Sequence, residues 1–179
     1  MTPDALPLVR RVVTAIDSAG KSYLLSDAAS PDQRTVRERP GFRSSNLWRT
    51  LGTPTPVAAE DSILDHHGVM PPPGGTVLRV VDFPPRPADL EERRRQAAAS
   101  FNSVFPDAAH AKEHAQPGMH ATLSIDYAIV LAGVITAIMD KGETELAVGD
   151  ILIQRATNHA WENRTNKMAR VCFVLIDGK

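Results

Sequence analysis

The sequence predicts an all-β fold: an antiparallel β-barrel with an arm of N-terminal strands and one short helical insertion. Three observations carry that expectation. From Met119 polar and apolar residues alternate, so His120, Thr122, Ser124 and Asp126 share one face of a strand. Leu123, Ile125, Tyr127, Ile129 and Leu131 share the other. Short strand-like runs then follow one another at the turn signals Ala132-Gly133, Asp140–Glu143 and Gly149-Asp150, a spacing that suits sandwiches and barrels. Finally, eleven of the 14 prolines lie between Pro31 and Pro106 and only Pro117 follows them, so an irregular first part precedes a regular C-terminal one.

In chain order, Leu8–Ile16 is β-branched and bounded by Pro7 and a turn at Asp17–Gly20, and Lys21–Leu25 can pair back on it as a hairpin. Ser45–Leu51 and Thr76–Phe83 are two further strands, separated by Pro71–Gly75, a loop because proline cannot donate to a ladder. Asp89 followed by Glu92 is a helix start of the capping-box kind, and the helix runs through Phe101 with a thin apolar stripe. A second short helical turn is expected after Asp107. From Met119 one strand extends to Leu131; Val134–Met139, Thr144–Ala147, Ile151–Arg155 and Ala169–Ile176 follow. Residues 1–75 are thus read as N-terminal strands and proline-rich loops packed on a barrel formed by 76–179, with the helical insertion at about 87–116.

Composition excludes several classes of function. Lys+Arg of 20 against Asp+Glu of 21 leaves a net charge of −1, with no excess to bind a phosphate backbone, so no nucleic-acid partner is expected. A single Cys rules out an intrachain disulfide and any CxxC zinc site. No apolar run reaches the ~20 residues of a membrane helix, and the first residues lack an apolar signal core, so a cytoplasmic protein without a membrane partner is expected.

The residues that carry chemistry lie in the C-terminal part. The run from His120 through Asp126 to Gly133, and the run from Gly149 through His159 to Asn163, resemble the two motifs of the cupin superfamily. His120 takes the first histidine place of motif one, Asp126 the acidic place and Gly133 the closing glycine; Gly149, His159 and Asn163 match motif two. Thr122 replaces the second histidine, Asp126 stands where Glu is usual, and the proline and glycine of motif two are replaced within Gln154–Thr157.

The resemblance implies a jelly-roll barrel whose polar strand face lines an interior cavity. It also implies a 2-His-1-carboxylate metal site of His120, Asp126 and His159 for a divalent transition metal: iron, manganese, nickel or zinc. In the enzyme so implied, Asp126 is catalytic, Thr122 and Gln154 orient a small organic substrate, and the reaction is of dioxygenase, lyase, isomerase or dehydratase type. Two alternatives stay open: His120 and His159 as hydrogen-bonded core histidines, and a non-catalytic small-molecule-binding or sensor cupin. The apolar outer face of the sheet leads us to expect a homodimer.

Other candidates are structural on this reading. His110 to His114 matches H-x-x-E-H but sits in a short alanine-rich stretch. His66-His67 lies in a loop, and Arg93–Arg95 beside Glu91-Glu92 is a solvated helix face. Cys172 is a small core residue, and Trp161, two residues after His159, is either a pocket wall or core.

Overall fold

The structure is a computed structural model that describes residues 5–110 and 115–179. Thirteen strands form three antiparallel sheets among the described residues. A hairpin of β1 (Arg10–Ile16) and β2 (Ser22–Ala29) stands alone. A six-stranded sheet has the order β11-β8-β13-β5-β4-β3, from β3 (Asp32–Thr35), β4 (Arg43–Thr50), β5 (Thr76–Phe83), β8 (Ser124–Ala132), β11 (Ile151–Arg155) and β13 (Ala169–Asp177). A five-stranded sheet has the order β10-β9-β12-β7-β6, from β6 (Ala109–His110), β7 (His120–Ala121), β9 (Ile135–Met139), β10 (Glu143–Leu146) and β12 (His159–Glu162). One helix, α1 (Leu90–Ser103), joins β5 to β6. No helix among the described residues is long and apolar enough to cross a membrane.

The two larger sheets close on one core. Val77, Val81 and Phe83 of β5, Val130 of β8 and Val171 and Phe173 of β13 pack with Ile135 and Ala137 of β9. Along β8 every second residue points inward, so alternation in the sequence becomes alternation in burial: Ser124, Asp126, Ala128 and Val130 are buried, whereas Ile125, Tyr127 and Leu131 are exposed. The polar face read from the sequence is therefore the inner face. Cys172 falls on the other parity of β13 and lies partly buried on the outer side, not in the core as expected.

Two local expectations need correction. The single strand expected from Met119 to Leu131 is two strands in different sheets: β7 pairs with β12, β8 pairs with β11 and β13, and the chain crosses between the sheets at Thr122-Leu123. The helical turn expected after Asp107 does not form over the described residues 108–110. Ala109 and His110 instead pair with Ala121 and His120, and the Asp107 carboxylate accepts from the amides of Val69 (2.7 Å) and Met70 (2.9 Å). A non-local ladder there outcompetes a short local helix. Residues 111–114, which carry most of the H-x-x-E-H run including His114, lie outside the described residues.

The N-terminal part is joined to the barrel at defined points. β4 pairs with β5, so the sheet extends into the proline-rich half. On its outer side Asp82 is buried and accepts from Arg43 (2.6 Å) and Arg170 (2.6 Å), its cross-strand neighbours on either side. The same two guanidiniums donate to the carbonyls of Leu6 and Pro7, which fastens the start of the chain to the sheet.

Helix α1 begins as its sequence requires. The Asp89 carboxylate accepts from the Glu92 amide at 2.7 Å, satisfying a backbone donor that the helix leaves unpaired. Arg94 and Arg95 pair with Glu91 and Glu92 on the solvent side, as a charged face should. Arg93 does not: it turns inward to Glu162 on β12 (3.2 Å).

The turn between β8 and β9 depends on Gly133, which has φ +67° and no room for a side chain; a Cβ there would lie 2.5 Å from the Met168 carbonyl. At Gly142, φ +89°, the space is open. Gly142→Ala is expected to cost about 1 kcal/mol for the left-handed backbone alone, and Gly133→Ala distinctly more. Urea denaturation of both variants checks this, and equal losses would refute the close-packing account.

Candidate functional site

The inner faces of the two sheets enclose a cavity of about 130 Å³. That is close to the size of an engineered cavity that accepts benzene. Phe42, Phe83, Phe101, Phe105, Trp161 and Phe173 supply aromatic wall, and His120, Thr122, Asp126 and His159 stand among them. Trp161 is therefore a wall residue, its ring 5.3 Å from Phe173 and 5.9 Å from His159.

His120 and His159 come together because β7 and β12 place them directly opposite in register. Their ring centroids are 4.3 Å apart. His120 Nδ1 donates to the Gly118 carbonyl and His159 Nδ1 to the Thr157 carbonyl, both at 2.9 Å. A carbonyl can only accept, so the proton sits on Nδ1 in each ring and Nε2 carries the lone pair. Burial, and then the neighbouring His120, push the His159 pKa down to about 3, so that ring is neutral.

Asp126 lies on the other sheet. The Ser124 hydroxyl donates to its Oδ1 at 2.6 Å and stands 2.9 Å from the Thr122 hydroxyl, so the three side chains form a hydrogen-bonded string at the sheet crossing. Burial raises the Asp126 carboxyl to about 6, against the opposing effects of the Ser124 bond and of Arg79. Among the described residues no three His, Cys, Asp or Glu side chains gather closely enough to hold a metal ion. The histidine pair is built, and Asp126 faces the same cavity.

Gln154 is the cross-strand neighbour of Asp126 on β11, yet it does not line this cavity. Its amide donates to the Thr157 carbonyl and hydroxyl, and its Oε1 is buried without a partner. Gln154 thus bears on the loop that holds His159 through Thr157, at the end of β11. Asn163 is buried and donates to the Phe83 and Lys167 carbonyls, which makes it a support for the strand end beyond His159.

Beyond Asp126, the sequence reading missed the charged residues of the cavity. Glu162 on β12 accepts from Arg86 (2.5 Å), Arg93 (3.2 Å), Gln116 (2.8 Å) and Arg164 (3.1 Å). Burial opposes its ionisation, but the hydrogen bonds of Gln116 and Arg164 and the nearby Arg86 hold its carboxyl below the usual range. Arg79 is buried at an inward position of β5, and Arg39 lies over the Phe42 ring with Cζ 4.7 Å from its centroid. The signal for Arg79 was present: it is the one cation in the run TVLRVVDF, at the parity of Val77 and Val81. His66, read as a loop residue, is buried with Nε2 3.1 Å from Arg79 Nη2; burial and Arg79 push its pKa down to about 4.

No family model matches the chain. Comparison with known proteins finds two relatives from Diaporthe leptostromiformis, the phomopsin biosynthesis cluster proteins C' and D. Each is 30% identical over 178 residues, covering 94% of this chain and 78% of the relative. A cupin-domain-containing oxidoreductase of Aspergillus ruber is 28% identical over 179 residues, covering 96% and 74%. Among solved structures, a cupin 2 conserved barrel domain protein from Salinispora arenicola is 14% identical, covering 80% of this chain and 82% of that one, with a TM-score of 0.43. The Schizosaccharomyces pombe Cnp3 cupin domain is 8% identical, covering 94% and 87%, with a TM-score of 0.45.

The raised Asp126 carboxyl has a consequence for stability. Between its ordinary 3.8 and about 6 the folded state holds a proton that the unfolded state releases. Its stabilising contribution is therefore full below 3.8 and lost as pH rises through 6. Asp126→Asn keeps an acceptor for Ser124 without the charge. In chelator-treated protein this variant should gain on the wild type between pH 4 and pH 8, by at most about 3 kcal/mol. Denaturant titrations at both pH values measure it; a difference that does not change with pH would show that Asp126 is not desolvated.

Proposed function

We propose that this chain, which belongs to the cupin superfamily, is an oxidoreductase-type enzyme acting on a small, partly apolar organic molecule held inside its barrel. The observation that carries the reading is the pair of imidazoles, fixed side by side with Nδ1 tied to backbone carbonyls, in an aromatic cavity that Asp126 also faces. Relatives named cupin-domain-containing oxidoreductases support the reaction class.

The donor set suits a divalent transition metal at the pair. Metal-ligating histidines characteristically give their other N–H to a carbonyl or carboxylate, as both rings do here. His120 and His159 would hold iron, manganese, nickel or zinc through Nε2, and such an ion supplies Lewis-acid or redox chemistry. Asp126, engaged by Ser124, is assigned the proton: with its carboxyl near 6 it accepts or returns one at neutral pH. Thr122 and Ser124 orient that carboxylate. Trp161, Phe101 and Phe173 hold an apolar body and exclude water, and the clamp of Arg86, Arg93 and Gln116 on Glu162 ties α1 and the segment before β7 to β12.

The competing reading, a non-catalytic binder or sensor, draws on Thr122 standing where a second histidine would offer another ligand. Elemental analysis of protein purified without chelators separates the two. We expect about one equivalent of transition metal in the wild type, and under roughly a tenth in His120→Ala and His159→Ala. Wild-type protein without metal, and with no gain on adding Fe(II), Mn(II), Ni(II) or Zn(II), would favour the binder.

The active unit in this proposal is a homodimer. The β1–β2 hairpin exposes Val12, Ile16, Tyr23, Leu24 and Leu25, and the outer side of β8 and β11 exposes Ile125, Tyr127, Leu131, Ile151 and Ile153. An isolated two-stranded hairpin is marginal in water, so a second copy that covers these faces accounts for both. Light scattering should give the mass of two chains, and the double variant Leu24→Asp/Ile125→Asp that of one. A monomeric wild type would reject the dimer.

A further inference from the structure

The cavity holds more positive than negative charge. Among the described residues Arg39, Arg79, Arg86 and Arg93 line it, against Asp126 and Glu162. Glu162 is committed to Arg86 and Arg93. Two guanidiniums have no bonded counter-ion, and Glu162 acts on Arg39 only through space. Arg39 makes no side-chain hydrogen bond or ion pair with any described residue and rests on aromatic faces, Cζ 4.7 Å from the Phe42 ring centroid and 5.9 Å from that of Phe83. Arg79 is 2% exposed, with Cζ 5.1 Å from the Phe105 ring centroid. Its bonds go to neutral acceptors: Nε to Asn46 Oδ1 (2.7 Å), Nη2 to the Gly68 carbonyl (2.7 Å) and to His66 Nε2 (3.1 Å). Asp107, Asp32 and Asp126 act on it only through space. Its Nη1 has no protein partner among the described residues.

A cation taken out of water without a bonded counter-ion is costly. Packing alone does not explain Arg79, since an apolar side chain would fill its place without that cost; Arg39 is half-buried and faces the same cavity without a bonded counter-ion. We propose that Arg39 and Arg79 receive one carboxylate of the molecule the barrel holds, so the substrate class is an organic monocarboxylate with a compact apolar body. The inference rests on the reading of this cavity as a small-molecule enzyme site. The planar guanidinium fork matches a carboxylate, and the aromatic faces beneath both cations hold the forks in place. The surrounding rings take up the apolar body. A second negative charge is disfavoured by Asp126 and by the apolar walls.

Calorimetric binding of benzoate and its neutral isostere benzamide to the full-length protein tests the proposal. Benzoate should bind the wild type at least about tenfold more tightly than benzamide. Arg39→Met removes no protein hydrogen bond and should abolish that preference while leaving benzamide binding unchanged. Arg79→Lys, which keeps the charge at the buried position, should weaken benzoate alone. His159→Ala should keep the preference. A preference lost in His159→Ala and kept in Arg39→Met would send the carboxylate to the histidine pair and overturn the proposal. Equal affinities in the wild type would overturn it and leave the enzyme reading standing. Binding of neither compound would remove the pocket reading and the proposal together.

Discussion

The crossing of the chain between two sheets at Thr122-Leu123 is the constraint on which the rest of the molecule depends. One residue of β7 faces the cavity from one sheet, and a few residues later β8 faces it from the other. That places His120 beside His159, across one ladder position, and sends Asp126 to a different wall. A continuous strand would have put His120 and Asp126 on one face of one sheet. The crossing distributes them around an enclosed space, and the hydroxyls of Thr122 and Ser124 line the passage.

Everything polar inside that space must be satisfied without bulk water. The barrel does so in three ways: by fixing imidazole tautomers on backbone carbonyls, by surrounding Glu162 with donors, and by resting guanidiniums on aromatic rings. Arg93 Nε, buried without a partner, and Asp126 are exceptions. Asp126 keeps a proton affinity near neutrality because burial outweighs the one hydroxyl it accepts from. Groups held in this condition lower stability, and their gathering in one cavity is what the proposed enzyme role would require.

Much of this was legible in the sequence. The alternation from His120 to Asp126 separated a polar from an apolar strand face, Asp89 announced the start of α1, and the resemblance carried by His120, Asp126 and His159 implied the barrel and the inward turn of the polar face. What was not legible depends on distant partners. The break between β7 and β8 is set by β12 and β13, and the ladder of Ala109–His110 by β7. Gln154 has the inward parity expected of it, but its amide bonds to Thr157 at the end of β11. Arg93 reads like its neighbours Arg94 and Arg95, and only the position of Glu162 turns it inward. The mark of Arg79, a cation amid β-branched residues, was on the page; its meaning required the sheet.

The bond from Arg170 to the Pro7 carbonyl spans 163 residues of chain. Such a contact forms only after β13 has been inserted between β5 and β8, since until then Arg170 has no fixed position and the loop to be closed is nearly the whole polypeptide. The Arg43 bond to the Leu6 carbonyl and the Arg11 bonds to the Leu47 carbonyl and Asp61 close far shorter loops, so the first strand-forming segment is fastened in two stages, the local one first. Its release also disturbs the least, because Asp82 keeps both guanidiniums when the carbonyls leave. Loss of those carbonyl contacts would leave the pairing of β4, β5 and β13 around Asp82 intact.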